Sequence, residues 1–332
     1  MPRQKFNKLG IISSILISCI LIVTSLLIVI NKQYVIDQIT VWQYKPTAEI
    51  NSLAERSGMD DYGKFLYLAS QPSLDATQNF NEVCDRIENI TSILGCYSNY
   101  KIYIYDVTDV QLDGIREVTA AHEMLHAAYI RMNDGERNKL NTLLEAEYKK
   151  LETDKKFSSR MAFYARTEPG QRDNELHSVI GTEVSDISPS LEVHYGKYFS
   201  DRQKVVALDA QYSSVFQELE DRANELIAQL NTLASSISSD STQYNTDAEI
   251  LDSDIIDFNN RAETGQFVSQ SQFLSERYTL SSRVAELNVM RTNINVDIAN
   301  YDLLLVEYNS IASESKKLYN SINSTLAPVP SV

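Results

Sequence analysis

From Asp201 to Thr325 the chain contains one glycine, Gly265, and no proline, and its apolar residues fall on heptads. Val205, Tyr212, Leu219, Leu226 and Leu233 recur every seven residues, while Leu230, Ile237, Tyr244, Leu251 and Phe258 recur on a register shifted by four. Such a stutter locally unwinds a coiled coil without ending it. The run from Asn259-Asn260 to Gly265 breaks this series, and a second one follows at Phe273, Leu280, Leu287, Ile294, Tyr301 and Tyr308. Two long helices with a short polar break between them predict an antiparallel coiled-coil hairpin over residues 201–325, about 80 to 90 Å long if straight. One continuous oligomeric coiled coil is the rival, and Gly265 with its polar neighbours disfavours it. The segment has no histidine or cysteine, so it carries no catalytic cluster. It reads either as an arm that binds a protein partner or sets reach, or as a solvated coil.

Charge narrows the functions. The chain has 30 basic and 45 acidic residues, a net charge of −15. Phosphate affinity comes from clustered Lys and Arg, which this balance does not supply, so nucleic-acid binding is excluded as the main role.

Ile11 to Ile30 is a twenty-residue stretch without a charge, long enough to match a hydrocarbon core of about 30 Å. It predicts a single transmembrane helix over residues 11–31, after a cytoplasmic tail (1–10) and before a linker (32–47). Arg3, Lys5 and Lys8 precede it, so the positive-inside rule puts the N-terminus in the cytoplasm and the rest of the chain outside. A cleaved signal peptide would have a shorter apolar region and a small-x-small site. Leu16-Ile17-Ser18-Cys19 has the form of a lipoprotein processing site, but the chain stays apolar long after Cys19. Cys84 and Cys96 would face an oxidising space, where they read either as a disulfide or as two independent thiols. The tail 326–332 contains proline and reads as loose.

Residues 48–200 read as a globular domain of mixed elements. Tyr100 to Val107 alternates and is rich in aromatic and β-branched residues, the pattern of a strand. Ile115 to Met132, with Asp113 as cap, and Glu136 to Lys156 read as helices, and Asp173 to Val184 as a third.

The chemistry concentrates in His122-Glu123-Met124-Leu125-His126. Histidines four apart on a helix leave the same face one turn apart and can share a metal ion, with Glu123 beside them to reach water rather than the metal. With 4 histidines in 332 residues, chance would produce this pattern in roughly one such chain in a few hundred.

Here the sequence resembles the zincin metallopeptidases. Thr119, Ala120, Met124, Leu125 and Ala127 suit the family's extended motif, and a strand before the site helix matches the sheet that lines the zincin substrate cleft. The resemblance implies an α+β zincin-like domain, a Zn2+ cofactor held by three protein ligands, and a peptide or protein substrate. A metzincin would have glycine at 129 and histidine at 132, where this chain has Tyr129 and Met132, so the gluzincin branch is the closer one. Its third ligand is a glutamate on a later helix, for which Asp173-Asn174-Glu175-Leu176-His177-Ser178 offers Glu175. His177 and Glu183 are alternative ligands. His177, His194, Tyr164, Tyr195 and Tyr198 are candidate hydrogen-bond donors to a developing oxyanion. The expectation is a membrane-anchored, extracytoplasmic zinc metallopeptidase with His122, His126 and Glu175 on the metal and Glu123 as general base. The alternative from a different class is a catalytically silent envelope scaffold or tether whose hairpin binds a partner.

Overall fold

The structure is a computed structural model that describes residues 8–84 and 93–325, with the side chains of 8–12 and 15 left out. Most of the cytoplasmic tail read at 1–10, and the loose tail read at 326–332, lie outside the described residues. The elements run α1 (Lys8–Ile30), α2 (Lys32–Gln43), α3 (Ala48–Arg56), α4 (Asp61–Ala69), β1 (Ser73–Asp75), α5 (Thr77–Val83), β2 (Gly95–Ser98) and β3 (Lys101–Tyr105). They continue α6 (Ile115–Arg131), α7 (Asp134–Leu151), α8 (Lys155–Thr167), α9 (Arg172–Glu183), α10 (Pro189–Tyr195), α11 (Gln203–Glu263) and α12 (Gln270–Ser321).

This order corrects the α+β expectation: the described chain is mostly α-helical, with one small three-stranded sheet in the order β1-β3-β2. Most of the glycines and prolines of 48–200 punctuate short helices, while Pro72 precedes β1 and Gly95 opens β2. Pro189 opens α10, where its missing N–H costs no helical bond. Side-chain caps open four of these helices, α3, α4, α7 and α8. Thr47 accepts from Ile50 N, Asp60 from Gly63 N and Asp154 from Phe157 N, while Asn133 and Glu136 form a reciprocal capping box on α7. Within the stretch 32–47, read as a linker, residues 32–43 form helix α2.

The predicted strand Tyr100–Val107 is shorter in the structure. Asn99 and Tyr100 adopt φ of 52° and 62° and make the two-residue turn between β2 and β3, the backbone that matches strand twist in a hairpin. β2 pairs antiparallel to β3, Cys96 opposite Tyr103, and β1 pairs parallel to it, Leu74 opposite Ile104. Cys84 and Cys96 form a disulfide, which settles the two readings of that pair.

The chain divides into two compact units, Met1–Val215 with Tyr319–Val332, and Phe216–Leu318. In the first, α6 is buried on nearly all sides, packed against α3, α4, α9 and the sheet, as a central core helix should be. Met124, Leu125, Ile102, Ile104, Leu176, Ile180 and Tyr195 form the middle of that core with no exposed surface. Asp113 does not cap α6. Gly114 takes that place at φ 102°, and Asp113 pairs instead with Arg56 at 2.7 Å.

In the second unit the long helices run antiparallel: Arg283 pairs with Asp254 at 2.5 Å and Arg261 with Glu276 at 2.6 Å, so partners rise along one helix as they fall along the other. Leu226, Leu230, Leu251, Phe258 and Ile294 are buried at heptad positions, and Leu318, off that series, has no exposed surface. Helix α11 extends to Glu263, past the break read at Asn259-Asn260, and the chain turns at Gly265 with φ 68°.

Candidate metal centre

His122, Glu123 and His126 lie on the middle turns of α6, and their ligand atoms fall within 4.8 Å of one another. The imidazoles sit edge to face, ring centroids 4.7 Å apart, as the four-residue spacing requires. Glu123 and His126 are buried and the His122 side chain is 12% exposed.

Helix α9 brings a second set of polar groups against them. Glu175 places Oε1 3.4 Å from His126 Nε2 and Oε2 3.5 Å from His122 Nε2, so one carboxylate faces both imidazoles. Contacts of this length put the Glu175 carboxylate beside the triad, although the three residues whose ligand atoms all fall together are His122, Glu123 and His126. Two further observations bear on a metal here. Glu123 Oε2 is buried without a hydrogen-bond partner among the described residues, and Glu175 Oε2 has only its long contact with His122 Nε2, an arrangement that a bound cation would relieve. Ser178, also on α9, has its hydroxyl 3.2 Å from His126 Nδ1, which leaves Nε2 toward Glu175 and fixes the ring.

The electrostatics are those of crowded, dry acids and bases. Burial pushes the Glu123 carboxyl up to about 8. It pushes the His122 pKa below its ordinary value. Burial also opposes the charged form of His126, but Glu175 and Glu123 outweigh it and hold that imidazole above its ordinary value. Glu175 is raised by burial and more than offset by His126 and His122, ending below the usual carboxylate range.

Two structural features close the site around Glu123. A Cβ on Gly95, the first residue of β2, would fall 2.6 Å from Thr119 Cγ2 and 2.7 Å from Glu123 Oε1, so only glycine lets this strand approach α6. The Cys84–Cys96 disulfide is anchored one residue further on. Opposite, Tyr164 of α8 stacks its ring 6.1 Å from that of His122. Burial, then Glu175 and Glu183, hold its phenol well above the ordinary value, so it stays protonated.

The other candidates are engaged elsewhere. His177 has no exposed surface and its Nε2 lies 3.0 Å from His194 Nε2, while Tyr195 donates to the His177 carbonyl at 2.7 Å. Tyr198 packs its ring 5.5 Å from His194. Glu183 is paired with Arg160. Ser178 was missed as a functional residue, although it is the small residue of the Asn-Glu-x-x-small pattern. Tyr164 had only its residue type to recommend it.

No protein-family model, curated protein or solved structure matches this chain. The buried His-Glu-x-x-His triad within metal-ligand distance therefore stands on its own geometry.

Proposed function

We propose that the protein is a zinc metallopeptidase of the gluzincin kind, with ligands His122, His126 and Glu175. The observation that carries the reading is the Glu175 carboxylate, 3.4 and 3.5 Å from the Nε2 atoms of the two α6 histidines. When bound, zinc would act as a Lewis acid on a water and on the scissile carbonyl.

The chain's own residues supply the rest. Glu123 Oε2 is buried and unpartnered, free to take a proton from the attacking water and pass it to the leaving amine. A dication beside it would favour the carboxylate over the acid form that burial alone enforces. The protonated Tyr164 phenol is a donor for a developing oxyanion. β2 is an edge strand next to Glu123, and such edges pair with extended peptides.

The localisation belongs to the same proposal. Among the described residues no single helix is long and apolar enough to cross a membrane; Leu16–Ile30 and Lys32–Gln43 pass together as a pair bent by 83°. The apolar sequence starts earlier, at Ile11, and supports a single-pass anchor with the N-terminus cytoplasmic and the metal centre outside.

Zinc content and peptide hydrolysis of the detergent-solubilised full chain test the reading. About one zinc per chain, lost in His126→Ala together with activity, is expected. Protein purified without chelators that carries no zinc and cuts no peptide would overturn it in favour of the scaffold.

A further inference from the structure

Helix α2 has two faces of opposite character. On one, Asp37 is 3% exposed and receives both prongs of Arg131, Nε to Oδ2 and Nη2 to Oδ1, each at 2.9 Å. Arg131 is the last residue of α6, and its Nη1 also donates to the Tyr97 hydroxyl of β2 and to the Ala127 carbonyl, again at 2.9 Å. One buried guanidinium therefore ties α2 to the helix that carries His122 and His126 and to the strand that abuts Glu123.

The other face is open and, over its middle turns, apolar. Ile36, Ile39 and Trp42 are 44%, 50% and 78% exposed, with Val35 half-buried beside them. At 3.6 residues per turn these four span about 120° of the helix, and Asp37 lies about 160° from the middle of that arc. Lys32 and Gln43 also fall in this arc, but only at the two ends of the helix, so its middle turns present an exposed apolar patch. The helix follows α1, whose side chains from Leu16 to Ile30 are exposed and almost all apolar, and it turns 83° away from α1 at Asn31. A second helix nearly perpendicular to a spanning one lies in the plane of the bilayer, at the boundary where tryptophan partitions. Exposed Lys32 and Lys45, at the two ends of α2, suit anionic headgroups.

We propose that α2 is an interfacial helix whose Val35, Ile36, Ile39 and Trp42 face is immersed in the lipid surface, and that the Asp37–Arg131 pair clamps the metal-bearing domain onto it. The inference rests on the membrane anchor proposed above. The clamp lies nine residues along α6 from His122, about 14 Å of helix, so the site works close to the bilayer rather than on a slack tether. Continuity with α1 is what selects lipid over a second copy of the chain as the occupant.

Trp42 is the only tryptophan, so its fluorescence reports on this face alone. The full chain is reconstituted into vesicles of phosphatidylcholine and phosphatidylglycerol, with and without brominated acyl chains, and floated on a density gradient. The proposal expects co-flotation, quenching of Trp42 by the brominated lipid and protection from aqueous iodide, with Ile39→Glu reversing both while zinc content is unchanged. Co-flotation with Trp42 open to iodide would overturn the interfacial helix and leave the anchor standing. Protection from iodide without quenching by lipid would overturn it in favour of a second copy. Failure to float would overturn anchor and interfacial helix together, without touching the zinc reading.

Discussion

The Ser178 hydroxyl stands 3.2 Å from His126 Nδ1, both atoms buried between α9 and α6. Outer-shell partners of this kind hold a ligating imidazole in one tautomer, and their loss typically weakens metal binding about 10- to 100-fold. Ser178→Ala should lower zinc affinity by that factor, read by competition with a chromophoric chelator. Unchanged affinity would mean that Ser178 only fills space.

The two glutamates of the site should separate cleanly. Glu123→Gln should keep zinc and lose about 10² to 10⁴ in rate, the usual cost of removing a general base. Glu175→Gln should weaken zinc binding and activity together. Full zinc and full activity in Glu175→Gln would remove it from the ligand set; a wild-type rate in Glu123→Gln would remove the mechanism.

Asp37→Asn leaves the Arg131 guanidinium, 7% exposed, without its counter-charge. Breaking one side of a buried pair costs about 3 to 5 kcal/mol, whereas replacing both partners by apolar groups is often neutral. The single variant should therefore unfold at clearly lower denaturant concentration, and Asp37→Leu with Arg131→Met should recover most of the loss. Equal stability of all three proteins would show that the clamp carries no energy.

The disulfide closes a loop with a sequence separation of 12, for which loop-closure entropy predicts about 3 kcal/mol. Cys84→Ser with Cys96→Ser should cost that much, and unreduced wild-type protein unfolded in denaturant should show one reactive thiol, Cys19. Three reactive thiols would mean that the bond does not form.

His194 supplies an acid-side dependence. Burial, then Lys197, lowers its pKa from 6.5 to about 4, and it faces His177, Tyr195 and Tyr198. A histidine buried neutral takes up its proton more readily in the unfolded chain. Its contribution is therefore complete above the unfolded value of 6.5 and declines as pH falls toward about 4, below which it is flat. Unfolding midpoints between these limits should fall less steeply in His194→Asn than in the wild type. Identical slopes would count against the burial of this ring.

The sequence by itself determined whatever depends on residues a few positions apart. Helical geometry alone puts His122 and His126 on one face with Glu123 beside them, because 3.6 residues per turn brings every fourth residue round. Heptads at Leu226, Leu251 and Ile294 marked the buried seam of the long helices for the same reason. Short helices escaped this reading. α3, α4, α5 and α10 span two or three turns each, too few to show a period, and their Gly and Pro boundaries look the same as those of strands. Strand alternation at Lys101–Tyr105 was legible, but the small size of the sheet around it, β1 on one edge and β2 on the other, was not.

Tertiary structure decided the contacts between residues far apart in the chain. The pattern around Glu175 nominated three ligands, and only the packing of α9 on α6 brings its carboxylate to both imidazoles while His177 turns to His194 and Glu183 to Arg160. The Asn-Glu-x-x-small pattern marks Ser178 but not its partner His126, and the Arg131–Asp37 pair has no sequence signature. Their partners are chosen by burial, which excludes water from a polar group and leaves whichever complementary atom the fold has placed nearest to satisfy it.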